Sequence, residues 1–135
     1  MEFGNQKTTP FLTFSGQAEE AMSCYTSLFE QSRIDHLVRH ADGKVLHAKF
    51  TIKGQTYMCI DSAVKHEWGF TPAISLFVAC DTVDEIDRLY AELSRDGQVL
   101  MPLGDSPFSE KFAWVNDRFG VSWQLNLAKP QPSSV

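Results

Sequence analysis

Apolar and polar residues change their spacing several times along the chain, and each change predicts an element. From Gln17 the apolar residues Ala18, Ala21, Met22, Tyr25, Leu28 and Phe29 fall at helical spacing. Glu19 and Glu20 stand in the first turn, where the helix dipole favours acidic groups. Pro10 to Gly16 reads as a short strand before this helix, and Ile34 to His40 as a second strand after it, closed by a turn at Ala41-Asp-Gly43. Leu46 to Ile52 alternates, which predicts Leu46, Ala48, Phe50 and Ile52 on one face and His47, Lys49 and Thr51 on the other. Lys53-Gly-Gln55 then turns the chain into a strand from Thr56 to Asp61.

Ser62 to Pro72 is a polar connector, after which the order recurs. Ala73 to Cys80 reads as a strand, and Thr82 to Arg95 as a helix with Thr82 as N-cap and Glu85 completing a capping box. Gln98 to Leu103 is a strand, and Phe112 to Leu127 a hairpin turned by Asn116-Asp-Arg-Phe-Gly120, whose Asn and Asp can bond back to their own backbone. Beyond that turn Val121, Trp123, Leu125 and Leu127 alternate with Ser122, Gln124 and Asn126. At an offset of about 65, Ala18-Glu-Glu-Ala21, Tyr25 and Leu28 line up with Val83-Asp-Glu-Ile86, Tyr90 and Leu93. One residue further on, Gly54-Gln-Thr-Tyr57 lines up with Gly120-Val-Ser-Trp123. The expected fold is α+β, two βαβββ repeats forming a curved mixed sheet: residues 1–8 a flexible N-terminus, 9–61 the first unit, 62–72 the connector, 73–127 the second unit and 128–135 a disordered tail. Each repeat leaves one sheet face without a helix, so two sheets form a half-open trough and two chains a homodimer.

Composition narrows the function classes. With 135 residues, 43% hydrophobic and 21% charged, the chain suits one soluble globular domain. A net charge of -5 gives no dense basic face for nucleic acid. No apolar run approaches the ~20 residues of a membrane span, and no signal pattern opens the chain, so a cytoplasmic location is expected. Cys24, Cys59 and Cys80 form no C-x-x-C pair and are expected to be buried free thiols.

The pattern resembles the vicinal oxygen chelate superfamily, the glyoxalase and bleomycin-resistance fold, and within it the PhnB-like group labelled 3-demethylubiquinone-9 3-methyltransferase domain. The resemblance is carried by Thr9-Pro-Phe-Leu-Thr-Phe-Ser-Gly-Gln-Ala-Glu-Glu-Ala21 with Tyr25 and Leu28-Phe29, by Phe50 with Gly54-Gln55, by Phe70-Thr-Pro-Ala-Ile-Ser75, and by Trp114 with Asp117-Arg-Phe-Gly-Val-Ser-Trp-Gln124. It implies, for metal-dependent relatives, histidine and glutamate ligands on the first and last strands of the units, with the metal acting as a Lewis acid. At those positions this chain offers Pro10 and Phe11, Ile74 and Ser75, Met58, and Gln124. No metal ligand set and no cofactor are therefore expected. A nucleotide-fold methyl-donor site needs a Gly-rich strand-to-helix turn, and the eight glycines contain no G-x-G.

His47 is the candidate catalytic residue, as general base or oxygen anchor, unless its strand face meets solvent or a partner. Trp114, Gln124, Ser122, Lys49 and Met58 are candidates for substrate binding; Trp114 is out of phase with Ala113 and Val115, whereas Trp123 belongs to the core. The same polar and aromatic rows would serve a dimer contact equally well. Asp61, Glu110, His66 and the pair His36 and His40, expected to share a strand face toward solvent, are secondary candidates, and Gly104 to Lys111 is a loop that either gates a cavity or is a plain surface excursion. Three functions follow: binding or conversion of a small organic metabolite, a metal-dependent lyase or dioxygenase with other ligands including His47, and drug sequestration without chemistry.

Overall fold

The computed structural model describes residues 5–130. The chain divides into two compact units between Glu67 and Trp68. In the first, β1 (Phe11–Phe14), α1 (Ala18–Leu28), β2 (Arg33–Arg39), β3 (Val45–Ile52) and β4 (Gln55–Asp61) follow one another. Their sheet has the order β1-β4-β3-β2, with β1 parallel to β4 and the other pairs antiparallel. In the second, β5 (Leu76–Cys80), α2 (Val83–Ser94), β6 (Gln98–Gly104), β7 (Ser109–Asn116) and β8 (Ser122–Ala128) give the order β5-β8-β7-β6 with the same parallel and antiparallel pairs. The expected α+β architecture of two βαβββ repeats is what the chain adopts.

Each helix covers one face of its own sheet. Ala18, Ala21, Met22 and Tyr25 of α1 pack with Val45, Ala48, Phe50 and Cys59, all 0% exposed, and the Phe50 ring stacks on Tyr57 at 5.4 Å. Ile86, Leu89 and Leu93 of α2 close over Ala113, Val115, Trp123 and Leu125. The two helices start differently. Thr82 Oγ1 accepts the Glu85 N–H at 3.1 Å, and the Glu85 carboxylate reaches back to the Asp81 N–H at 2.6 Å, one residue before the partner of a standard capping box. Gln17 makes no side-chain cap; Asp61, at the end of β4, accepts the Gly16 and Ala18 N–H groups through Oδ1 and the Val45 N–H through Oδ2, each at 2.9 Å. Asp61 thereby fastens the start of α1 to β3 and β4.

Two irregularities correct the expected phases. Arg39 pairs with Val45 while Val38 pairs with His47, so Leu46 is the extra residue of a bulge. The bulge turns Val45 into the core and leaves Leu46 48% exposed, against the expected burial of Leu46. A second register shift, between Ile34 and His36, displaces Asp35 and puts His36 opposite Lys49. The second unit's first strand begins at Leu76, later than Ala73; Ile74 precedes it and is 77% exposed. The connection from β6 to β7 is shorter than the expected loop, because Ser109, Glu110 and Lys111 already belong to β7.

Candidate functional site

Strand register sets one row of side chains across the helix-free face of each sheet. In the first unit Phe11 pairs with Met58, Met58 with Lys49, and Lys49 with His36. In the second, Phe77 pairs with Gln124, Gln124 with Trp114, and Trp114 with Met101. The two rows occupy equivalent places, because each runs from the parallel edge strand through the last strand of the unit to the opposite edge. Phe77, and not Ile74 or Ser75, is thus the counterpart of Phe11.

In the second unit the hairpin that carries two members of the row is held by Asp117. Its Oδ1 accepts the N–H groups of Phe119 at 2.9 Å and Val121 at 3.0 Å, its Oδ2 accepts the Trp123 Nε1–H at 2.9 Å, and the residue is 6% exposed. Gly120, at φ +92°, takes the left-handed turn position that disfavours a side chain. Asn116, expected to bond back like Asp117, instead presents a buried Oδ1 with no hydrogen-bond partner. With the turn fixed, Trp114 donates from Nε1 to Ser122 Oγ at 2.8 Å, and Gln124 donates from Nε2 to Ser75 Oγ at 2.9 Å. Trp114, Gln124 and Ser122 therefore come together, and both amide and indole orientations are pinned. Beside them lies a cavity of about 490 Å³ whose wall includes Phe77, Met101, Pro107, Phe108, Phe112 and Asn126. Ser109 Oγ donates to Asn126 Oδ1 at its edge. Phe77, Phe108, Phe112 and Asn126 were not singled out as site residues in the sequence; the period-two phase shared by Phe112, Trp114, Gln124 and Asn126 was the signal available.

In the first unit His47, Lys49 and Met58 share the helix-free face. The β2 register shift brings His36 to His47, with ring centroids 5.8 Å apart and an edge-to-face angle of 62°. His40, beyond the end of β2, lines a hollow with Asp42, Lys44 and Asp61. Asp35 accepts from Thr51 Oγ1 at 2.6 Å and pairs with Arg33 at 2.7 Å.

The remaining candidates have structural roles or none in either group. Asp61 is the carboxylate that starts α1. Glu110 points from β7 into solvent, and His66 Nε2 lies 2.7 Å from Ser62 Oγ in the connector, a contact invisible in the sequence. Cys59 and Cys80 are buried, whereas Cys24 is half-buried, against expectation. Burial, with the Asp61 charge adding to it, pushes the Cys59 thiol up to about 12.

The register permits a test of the metal and the methyl donor. The first- and last-strand positions at which the resemblance implies metal ligands hold Phe11 and Met58 in one unit and Phe77 and Gln124 in the other. Phenyl rings, a thioether and an amide already bonded to Ser75 do not fit a divalent cation that takes imidazole and carboxylate. Among the described residues, no three His, Cys, Asp or Glu side chains group so as to hold a metal ion. A nucleotide-type donor fits no better: neither sheet is doubly wound and parallel, and Asp61 takes the Ala18 N–H at the start of α1 while Thr82 takes the Glu85 N–H at the start of α2.

Comparison with known proteins agrees with this architecture. A family model described as 3-demethylubiquinone-9 3-methyltransferase matches residues 6–126. The solved structure of a PhnB protein from Bacillus cereus is 56% identical, covers 91% of this chain and 100% of its own, and has a TM-score of 0.89. Protein YjdN of Escherichia coli is 23% identical over 93% of this chain and 97% of its own length. A glyoxylase/bleomycin resistance protein/dioxygenase domain from Frankia shares the fold at 14% identity and TM-score 0.69, covering 93% of this chain and 99% of its own. The duplicated βαβββ units, their register and the match over nearly all of the chain together show that the protein belongs to the 3-demethylubiquinone-9 3-methyltransferase family, a PhnB-like group with the glyoxalase/bleomycin-resistance fold.

Proposed function

We propose that the protein binds a small organic molecule with an aromatic or apolar ring on the helix-free face of its second unit. The observation that carries the reading is the cavity beside the Phe77-Gln124-Trp114-Met101 row, apolar on most of its wall and edged by the Asn126 amide. A volume of about 490 Å³ suits such a ligand, and a few fixed amides and hydroxyls can orient it. In this reading Phe77, Phe108 and Phe112 supply the ring walls, and the Trp114–Ser122 and Gln124–Ser75 hydrogen bonds fix the adjoining row, whose Trp114, Gln124 and Ser122 a ligand would reach next. His47, Lys49 and Met58 form the corresponding platform of the first unit, with His47 the residue able to move a proton if the ligand is converted. Among the described residues the cavity is lined by apolar, hydroxyl and amide side chains, which suits holding a neutral ring.

Thermal denaturation with indole and related neutral ring compounds tests this. A ligand at 100 times its dissociation constant adds ~2.7 kcal/mol of stability. The expected result is a saturable rise in melting temperature that Phe112→Ala and Met101→Glu remove; a rise unaffected by both variants, or none with any ring compound, contradicts it. The reading includes a homodimer, supported by exposed apolar side chains such as Trp68 at 61% and Ile74 at 77%. Sedimentation equilibrium should give twice the 15.2 kDa of one chain; a single-chain mass at all concentrations removes that part.

A further inference from the structure

We infer that the ligand of the second unit's cavity is a neutral aromatic carbonyl compound, whose oxygen accepts from the Asn126 side-chain amide while its ring lies against Phe112 and Phe108. The inference rests on the reading that this cavity is a ligand site, and it narrows that reading to a substrate class.

Three observations carry it. First, the Asn126 amide on the cavity wall is oriented and only partly used. Ser109 Oγ donates to its Oδ1, which leaves on Nδ2 two N–H groups that no acceptor among the described residues takes. Ser109 is 6% exposed and sits in a turn closed by reciprocal backbone hydrogen bonds with Ser106, at 3.3 and 3.4 Å, so the group that orients the amide is itself fixed. Ser106 also lines the cavity; its Oγ accepts the Phe108 N–H at 3.3 Å and keeps its own hydroxyl proton to donate. The polar side of the cavity thus offers donors, and an acceptor oxygen is their complement. Second, folding does not call for an amide at this place. Asn126 pairs with Ala79 of β5, and the same position in the first unit is held by Ile60, paired with Thr13 of β1. Asn is depleted in strands and Ile enriched, so the first unit has the residue the sheet prefers and the second has departed from it. Third, the ring surface adjoins the donor. Phe112 stands directly opposite Asn126 on β7, and Phe108, 90% exposed, lines the same cavity. The turn that holds Phe108 out is fastened from the far side, where Lys129 Nζ donates to the Pro107 carbonyl at 3.2 Å.

The same wall sets the charge of the oxygen. Its donors are an amide and a hydroxyl among phenyl rings and a thioether, and the neighbouring Lys111 of β7 is paired with Asp87 of α2 at 2.8 Å. A carboxylate entering here would give up its hydration for neutral donors and apolar surface, which costs more than they return. A ketone, aldehyde or lactam oxygen on a ring loses far less hydration and finds the same hydrogen bonds.

Chemical-shift titrations of the whole chain with 1-indanone, and separately with indane, provide the test, because the two bicycles differ only in a carbonyl against a methylene. 1-Indanone should bind about fivefold more tightly and should move the side-chain NH2 protons of Asn126 downfield, which indane should not do. Asn126→Asp keeps an acceptor for Ser109 and removes both N–H groups, and Asn126→Leu removes them without adding a charge; each should abolish the preference for the ketone. Spectra away from β7 and β8 report that the variants remain folded, and the wild-type pair with the Asn126 NH2 signals decides the matter without them. The inference is overturned if the two compounds bind the wild type alike, if the Asn126 NH2 signals stay unmoved at saturation with 1-indanone, if the preference survives in either variant, or if indane-1-carboxylate binds more tightly than 1-indanone. Failure of this inference and failure of the proposed function are distinguishable. Saturable shifts at Phe77, Met101 and Phe112 from indane or indole, with no preference for 1-indanone, overturn this inference and leave the proposed function standing, whereas no binding of any of these rings overturns both.

Discussion

The two units solve one folding problem with different residues and then diverge where folding makes no demand. Both cross four strands with an equivalent row, yet the first holds Phe11, Met58, Lys49 and His36, whereas the second holds Phe77, Gln124, Trp114 and Met101, with no ionisable group. On the covered faces the divergence is in the fastening. The first unit anchors its helix with Asp61 from a strand, and the second with its own Thr82. The first turns its last hairpin through Lys53 and Gly54, at φ 48° and 84°, a pair suited to a tight two-residue turn; the second builds the longer turn around Asp117. Burial constrains which positions are apolar and leaves open which polar group ties the ends together. On the helix-free faces even that constraint is absent, so the side chains there are free to differ between halves.

The largest effect that can break this comparison is removal of the two buried carboxylates. Each accepts three hydrogen bonds, and a stranded buried donor costs about 1–3 kcal/mol, so Asp117→Ala and Asp61→Ala should each lose several kcal/mol in denaturant titration. Hydrogen exchange should rise first at Phe119 and Val121 in one case and at Gly16 and Ala18 in the other. A loss of well under 1 kcal/mol in either would show that the fastening lies elsewhere.

Next is a backbone contact present in one half only. A Cβ on Gly97 would meet the Asn116 carbonyl oxygen at 2.1 Å and the Asp117 backbone at 3.0 Å. Ser32, its counterpart, already carries a side chain, whose Oγ accepts the Lys53 N–H at 3.3 Å. Gly97→Ala should cost about 1–3 kcal/mol and Ser32→Ala under about 0.5 kcal/mol; equal costs would mean that the halves are packed alike at this point.

Smaller effects follow from Cys59, whose counterpart in β8 is Leu125. An unfolded thiol ionises near 9 and the folded one at about 12, so the folded state holds the extra proton between those values. Stability from this group is present below pH 9 and is lost as pH rises toward 12. Cys59→Ala should flatten that alkaline decline. In native protein at neutral pH a thiol reagent should modify Cys24 and spare Cys59 and Cys80; rapid modification of Cys59 would contradict its burial. The smallest effect is expected at the exposed Arg39–Glu19 pair, 2.6 Å apart, in which the hydrogen bond and then the charge of each partner favour the ionised form of the other. Arg39→Gln should barely move the melting temperature, and less still in high salt.

Much of the fold was legible because periodicity and turn chemistry are local. The helical spacing of Ala18 to Phe29, the Thr82 cap and the alternation from Val121 to Leu127 are each set by residues close in sequence. Leu46 was misplaced because a bulge is a decision of the pair of strands, and nothing in Val45-Leu-His47 announces that Arg39 will take Val45 as partner. The same limit hid the meeting of His36 with His47 and made Ile74 and Ser75, rather than Phe77, stand for the first-strand position. Trp114, Gln124 and Ser122 were legible as a group through phase alone. The cavity wall at Pro107 and Phe108 was not, since it depends on where β6 ends and β7 begins. Asp61 looked like a strand terminus and Asp117 like a turn residue; Asp117 finds its three donors within its own hairpin, whereas Asp61 gathers Gly16, Ala18 and Val45 from separated stretches, which requires the closed sheet.

The central claim, that the second unit's helix-free row is a ligand platform, is tested most directly by an amide chemical-shift map with indole. Saturable shifts confined to Phe77, Met101, Phe112, Trp114, Gln124 and their strand neighbours are the predicted result. Shifts that gather instead on α2 and the face it covers, or that rise without saturating, would contradict it.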